Sequence, residues 1–160
     1  MSKRLVYVLF VLLLGLTGCN VDYKPEDSEY KKENVAFVEE AVNKGYTELR
    51  FLNTNPPIYY KVIEASEAAN KEYPLQGSTV KMELSGKLIS GEIFQAPGPL
   101  TMRVNQLILG MQYALQSMNV GDRWEVVIPY ELGYGYRNHG TIPAFSTLIF
   151  DIQLVEITAR

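Results

Sequence analysis

The 160-residue chain carries one cysteine, Cys19, and one histidine, His139. A disulfide framework needs paired thiols and a zinc site needs several Cys or His ligands, so neither can be assembled within one chain. Cys-His catalysis drops out with them. Ser117 and Ser146 lack a base partner of the kind that activates a serine hydroxyl, which argues against acyl transfer. Gly133, Gly135 and Gly140 recur without a G-x-x-x-x-G-K pattern, so they are read as loop glycines needing positive φ, and no phosphate cradle is implied. Among 11 tyrosines, Tyr130, Tyr134 and Tyr136 crowd into one loop, and one of the three is expected to face a pocket. His139, set among Arg137, Asn138 and Gly140, is read as a loop residue. No metal and no cofactor is expected.

Charge and composition narrow the partners. With 15 Lys and Arg against 18 Asp and Glu the net charge is -3, which becomes -5 once Lys3 and Arg4 are removed, so nucleic acid is not an expected partner. A chain that is 47% hydrophobic and 21% charged has the composition and length for one sizeable core. The basic start Met1-Ser2-Lys3-Arg4 is followed by an apolar run from Leu5 to Leu14, too short for a comfortable membrane span. This run ends in Leu16-Thr17-Gly18-Cys19, a pattern that resembles the lipobox of bacterial lipoproteins. Residues 1–18 are therefore expected to be a lipoprotein signal peptide, with Cys19 diacylated after cleavage. At about 0.8 kcal/mol per buried methylene, two or three acyl chains make a stable anchor. The expected address is the bacterial cell envelope, on the periplasmic or surface face of a membrane, with the outer membrane favoured.

Any such site must be positioned by regular elements. Residues 19–34 are polar and charged with Pro25 among them, and read as a tether. Val35, Val38, Val42 and Leu49 then recur near helical spacing, predicting a helical extension that closes in the Asn53-Thr54-Asn55-Pro56-Pro57 loop, residues 35–57 in all. From Ile58 onward the period changes to two. Val80, Met82 and Leu84 alternate with polar neighbours, as do Trp124, Val126 and Ile128, and again Leu148, Phe150, Ile152 and Leu154. Between them lies one helical stripe, Leu107, Met111, Leu115 and Met118, with Asn105 as a possible cap and Gly121 beyond it. The fold class is α+β, a curved antiparallel sheet wrapped on one amphipathic helix with a short N-terminal helical extension.

The order of these segments carries a resemblance. Ile58 to Ile63, the strand Val80 to Leu88 with Ser85-Gly86, Gly91-Glu92-Ile93-Phe94, Leu107 to Met111, Val120-Gly121-Asp122, and above all Ile128-Pro129-Tyr130-Glu131-Leu132-Gly133-Tyr134-Gly135 appear in family order. With Ile142-Pro143, Ser146 to Asp151 and Leu154 to Ile157 they make residues 58–160 resemble an FKBP domain, the FKBP-type peptidyl-prolyl isomerase family. The resemblance implies a cup for a proline ring lined by Leu84, Phe94, Gln95, Leu100, Leu107, Ile108, Met111 and Phe150. It also implies that Tyr134 donates its hydroxyl to a peptide carbonyl, and that the Ile142 backbone N–H does the same. The implied substrate is a proline-containing polypeptide, and the implied function is prolyl cis-trans isomerisation or folding assistance for exported proteins.

Departures from the family's usual residues leave a second reading open. Leu84 stands where tyrosine is usual, Gln95 where aspartate is, Leu100 where phenylalanine is, and Met111 where tryptophan is frequent. A non-catalytic FKBP-like lipoprotein that binds a peptide or protein would tolerate such a cup. A structural subunit that assembles through the helix from Val35 to Leu49 is a third reading.

Overall fold

A computed structural model describes residues 28–160. The expected signal peptide, the lipobox with Cys19 and most of the expected tether lie outside the described residues. The elements run α1 (Glu29–Glu39), β1 (Thr47–Leu49), β2 (Ile58–Glu64), β3 (Thr79–Leu88), β4 (Ile93–Arg103), α2 (Leu109–Leu115), β5 (Arg123–Ile128) and β6 (Leu148–Ala159). All strand pairs are antiparallel in one six-stranded sheet of order β1-β2-β5-β6-β3-β4.

The alternating strands do what their period demands. Val80, Met82, Leu84 and Leu88 of β3 are buried, as are Trp124, Val126 and Ile128 of β5 and Leu148, Phe150, Ile152 and Leu154 of β6. They form one cluster with Met111, Ala114, Leu115 and Met118, so the sheet curls around α2. The approach is close. A Cβ on Gly110 would lie 2.3 Å from Ile128 Cγ2, which is why the helix carries glycine where it crosses β5. β4 is the outermost strand on its side and contains Pro97 and Pro99, the latter opposite Glu83 of β3.

Two helices differ from expectation. The predicted stripe from Leu107 to Met118 shortens to Leu109–Leu115, because Asn105 lies in a single helical turn (Val104–Gln106) and Ile108 opens α2 without a side-chain cap. The N-terminal helix begins earlier than expected and ends sooner. Ser28 caps it by accepting from Lys31 N, so part of the expected tether is helical. Beyond Glu39 the chain winds down through Asn43-Lys44-Gly45, where Gly45 takes φ +84 and turns the backbone into β1. Leu49 therefore belongs to a strand paired with Ile58, and the helical spacing had joined residues of two different elements.

The segment before Ile58 packs against the sheet's other face. Ala41, Tyr46, Tyr59, Val127 and Ile149 make a second buried cluster, with Phe37 and Val38 of α1 laid on it. Ile149 is thus buried on the face that strict alternation would leave wet, and α1 turns these apolar residues to its own sheet rather than outward, against the assembly reading. Gly135 and Gly140 take positive φ, 74 and 58, as expected. Gly133 does not. Its φ is -104, and a Cβ there would press on Leu148 Cδ1 at 3.1 Å.

Candidate active site

The mouth between α2 and the inner face of the sheet is a cavity of about 590 Å³. β3 supplies Leu84, β4 supplies Phe94, Gln95 and Leu100, the start of α2 supplies Leu107, Ile108 and Met111, the loop after β5 supplies Tyr134 and Ile142, and β6 supplies Phe150. Every residue that the sequence assigned to the cup lines this one cavity. Met111 and Phe150 are buried at its base, whereas Gln95 is exposed at the rim with its amide donating to Ala96 O at 3.2 Å.

Backbone geometry sets the aromatic wall. Phe94 and Phe150 meet edge to face, centroids 5.4 Å apart at 83°. Both rest over Gly86, where a Cβ would come within 2.5 Å of Phe94 Cε2 and 2.9 Å of Phe150 Cε1. A side chain at that point in β3 would push the pair apart.

Tyr134 stacks on His139, centroids 4.1 Å apart at 7°, so its ring is held at the mouth. Burial pushes the Tyr134 phenol above the ordinary tyrosine range, which keeps it a protonated donor. No described residue accepts from its hydroxyl. The expectation for Ile142 is corrected: its N–H donates to His139 O at 3.0 Å, closing a bridge in which His139 N donates back to Ile142 O at 2.9 Å. That N–H is already engaged, so Ile142 contributes side-chain surface, 5% exposed, rather than a donor. Ile108 offers the alternative. It lines the cavity and its N–H meets no acceptor among the described residues.

Met102, Gln106, His139, Gly140 and Thr141 also line the cavity. Met102 was within reach of the sequence, since it lies two residues from Leu100 on the same face of β4. His139 was set aside as a loop residue, although the loop that carries Tyr134 also carries its stacking partner. Nothing in the sequence marks Gln106 or Thr141. Among the described residues, no Asp, Glu, Lys or Arg lines the cavity, and no group of three or more His, Cys, Asp or Glu that could hold a metal gathers. The arrangement can hold a small apolar ring, strip water from it and offer it neutral donors.

Comparison with known proteins decides the family. The model of the FKBP-type peptidyl-prolyl cis-trans isomerases matches residues 70–155. This chain belongs to that family. Among FKBP-type relatives, the 22 kDa peptidyl-prolyl cis-trans isomerase of Escherichia coli (strain K12) is 37% identical over 130 residues, covering 78% of this chain and 60% of the relative. The outer membrane protein MIP of Legionella longbeachae is 34% identical over 143 residues, covering 86% of this chain and 58% of its own length. The chain thus spans about 60% of the length of these curated relatives. The FKBP-like fold is shared with a peptidyl-prolyl cis-trans isomerase from Pseudomonas syringae pv. tomato at a TM-score of 0.69 and 28% identity, covering 82% of this chain and 93% of that one. FkpA from Escherichia coli aligns at a TM-score of 0.67 and 29% identity, covering 81% of this chain and 61% of that one.

Proposed function

We propose that this chain is a peptidyl-prolyl cis-trans isomerase that acts on proline-containing segments of exported proteins and is held at a bacterial envelope by lipid on Cys19. The observation that carries the activity is the cavity itself, lined by no Asp, Glu, Lys or Arg among the described residues, with an aromatic pair as its wall and a protonated phenol at its mouth. Rotation about an X-Pro bond has a barrier of about 20 kcal/mol because the amide gives up its resonance on the way. The planar amide is the more dipolar form. An apolar cup that takes the proline ring and removes water from the amide disfavours that form relative to the twisted one. As the carbonyl turns out of conjugation, the Tyr134 hydroxyl and the Ile108 N–H are the donors suited to receive it. Neither acid, base nor nucleophile is needed.

The envelope address draws support from the Leu16 to Cys19 pattern and from the name of the Legionella relative, an outer membrane protein. The decisive test of activity is exchange spectroscopy by NMR on a short Ala-Pro peptide with the soluble chain lacking residues 1–19. Faster cis-trans exchange that is lost on Phe150→Ala supports the isomerase. A second reading, a binding module without turnover, is favoured by Leu84, Gln95, Leu100 and Met111, which leave the cup with less aromatic surface and no carboxylate. It is supported instead if the peptide shifts cup resonances while its exchange rate stays at the uncatalysed value.

A further inference from the structure

The loop that carries Ile142 into the cavity wall returns to β6 through Pro143, Ala144, Phe145, Ser146 and Thr147. Within this segment Phe145 holds φ +62, a backbone conformation that only an over-determined environment maintains in a non-glycine residue. Local contacts supply part of that environment: Phe145 N donates to Gly135 O and Ala144 N donates to Asn138 Oδ1. The rest comes from α1. Asn34, fully buried, accepts from Thr147 N through Oδ1 at 2.7 Å, and its backbone carbonyl accepts from Thr147 Oγ1 at 3.0 Å. Its remaining amide group donates to Tyr30 O at 2.8 Å, which fixes the orientation of the side chain. One turn earlier, the Tyr30 hydroxyl lies 2.7 Å from Ser146 Oγ. Ser146 Oγ donates its proton to Pro143 O at 2.7 Å, so Tyr30 is the donor in that pair. The chain of bonds thus runs from α1 through Ser146 to the carbonyl next to Ile142.

We propose that Tyr30 and Asn34 are positioning residues for the cup: from one face of α1 they fix the Pro143 to Thr147 segment and, through it, the placement of Ile142 in the cavity wall. Spacing of four residues sets both side chains on the same face of α1. The helix lies outside residues 70–155, the part of the chain matched by the family model, so this contribution belongs to the N-terminal segment rather than to the matched domain. Small displacements of a cup wall lower turnover steeply, because the reacting group must be held within a fraction of an ångström. The rate arm of the proposal rests on the isomerase reading; the positional arm does not.

Tyr30→Phe and Asn34→Ala are compared with Val38→Ala in the chain lacking residues 1–19. Val38 packs on the second cluster and makes none of these bonds, so its truncation loosens α1 without removing any hydrogen bond of the relay. Two quantities are read at a temperature where each variant is native by circular dichroism: kcat/KM on the Ala-Pro peptide and hydrogen exchange of the Ile142 amide. The expected result is a fall of about three- to tenfold in kcat/KM with faster Ile142 exchange in both relay variants. Val38→Ala is expected to lower the unfolding midpoint and leave both quantities at the wild-type value. Unchanged Ile142 exchange in the relay variants overturns the proposal, as does faster exchange with an unchanged rate in an active chain. An equal loss of rate in Val38→Ala also overturns it, since general loosening would then suffice. Should Asn34→Ala fail to fold, Tyr30→Phe decides alone, because it removes one hydroxyl and keeps the ring. If the wild-type chain accelerates nothing, the isomerase reading fails and Ile142 exchange alone decides the positioning.

Discussion

At the scale of single residues, the proposed chemistry of the cup depends on a donor that stays neutral. Burial holds the Tyr134 phenol above the ordinary tyrosine value of about 10, so it does not ionise at pH values where an exposed tyrosine would begin to. Catalysis by the cup is accordingly expected to be level from about pH 7 to about pH 10 and to decline only above that. Tyr134→Phe should run at a rate about two- to tenfold lower, the worth of one hydrogen bond, and without the alkaline decline. A pH profile of kcat/KM for both forms checks this. Leu84 and Gln95 invite the opposite experiment. Leu84 is 6% exposed and faces an open cavity, so a tyrosine there has room, while Gln95 at the rim can become a carboxylate without burial. Leu84→Tyr with Gln95→Asp is expected to raise the rate about three- to tenfold in a folded protein, and an unchanged rate would mean that these two departures do not limit the cup.

Among the elements, legibility followed the length of the periodic run. β3, β5 and β6 could be read from alternation because each presents one dry face to α2, and the order of those strands with one internal helix fixed the class of fold. A backbone bond leaves no such periodic signal. Ile142 has the right side chain for the wall, yet its N–H is closed off by His139, a contact that no spacing rule announces. α1 was legible only in its second half, from Val35 on, for another reason. Its residues are mostly polar, and what commits them to a helix is a cap at Ser28 and a bond from Asn34 to Thr147, 113 positions further along the chain. The same distance explains why the stretch before Ile58 read as an appendage. Phe37, Val38 and Tyr46 instead cover Val127 and Ile149. A fragment that begins at Asn55 is therefore expected to be less stable than residues 28–160 by an amount on the order of 3 kcal/mol, because that cluster becomes wet. Urea melts followed by fluorescence of Trp124, the only tryptophan and 6% exposed, measure the difference. Equal midpoints would mean that α1 and β1 add nothing.

For the molecule as a whole, buried phenols tie stability to pH. Tyr46 is raised by burial and then by its hydrogen bond to Glu125, Tyr59 by burial and then by the charge of Glu48, and Tyr134 by burial. Each group keeps its proton in the native state at pH values where the unfolded chain has lost it. Above about pH 10 the native state thus binds more protons, and stability falls as pH rises, whereas below the unfolded value the contribution is complete. Denaturant midpoints by circular dichroism should be lower at about pH 10.5 than at about pH 8, and Tyr46→Phe should reduce the drop. The proposed anchor is the other matter that concerns the entire chain. Wild type is expected to enter the detergent phase on fractionation, and Cys19→Ser to remain unprocessed or to be released to the aqueous phase. Identical partitioning into water would remove the lipid.

Among the described residues the outer strand β4 leaves one side of its ladder open, and Pro97 and Pro99 sit two residues apart within it. A proline opposite Glu83 cannot give a hydrogen bond to β3, so its ring nitrogen takes the position that faces outward, while Pro97 lies where the register shifts between the Leu84–Gly98 and Gly86–Gln95 pairs. An amide that a stray extended chain would use to dock on this rim is therefore missing by covalent structure, and the register shift at Pro97 breaks the even ladder beside it. A protein proposed to work among chains that have not yet folded has been made a poor template for their aggregation, and replacing both prolines by alanine would give amyloid-prone segments a ledge on which to grow.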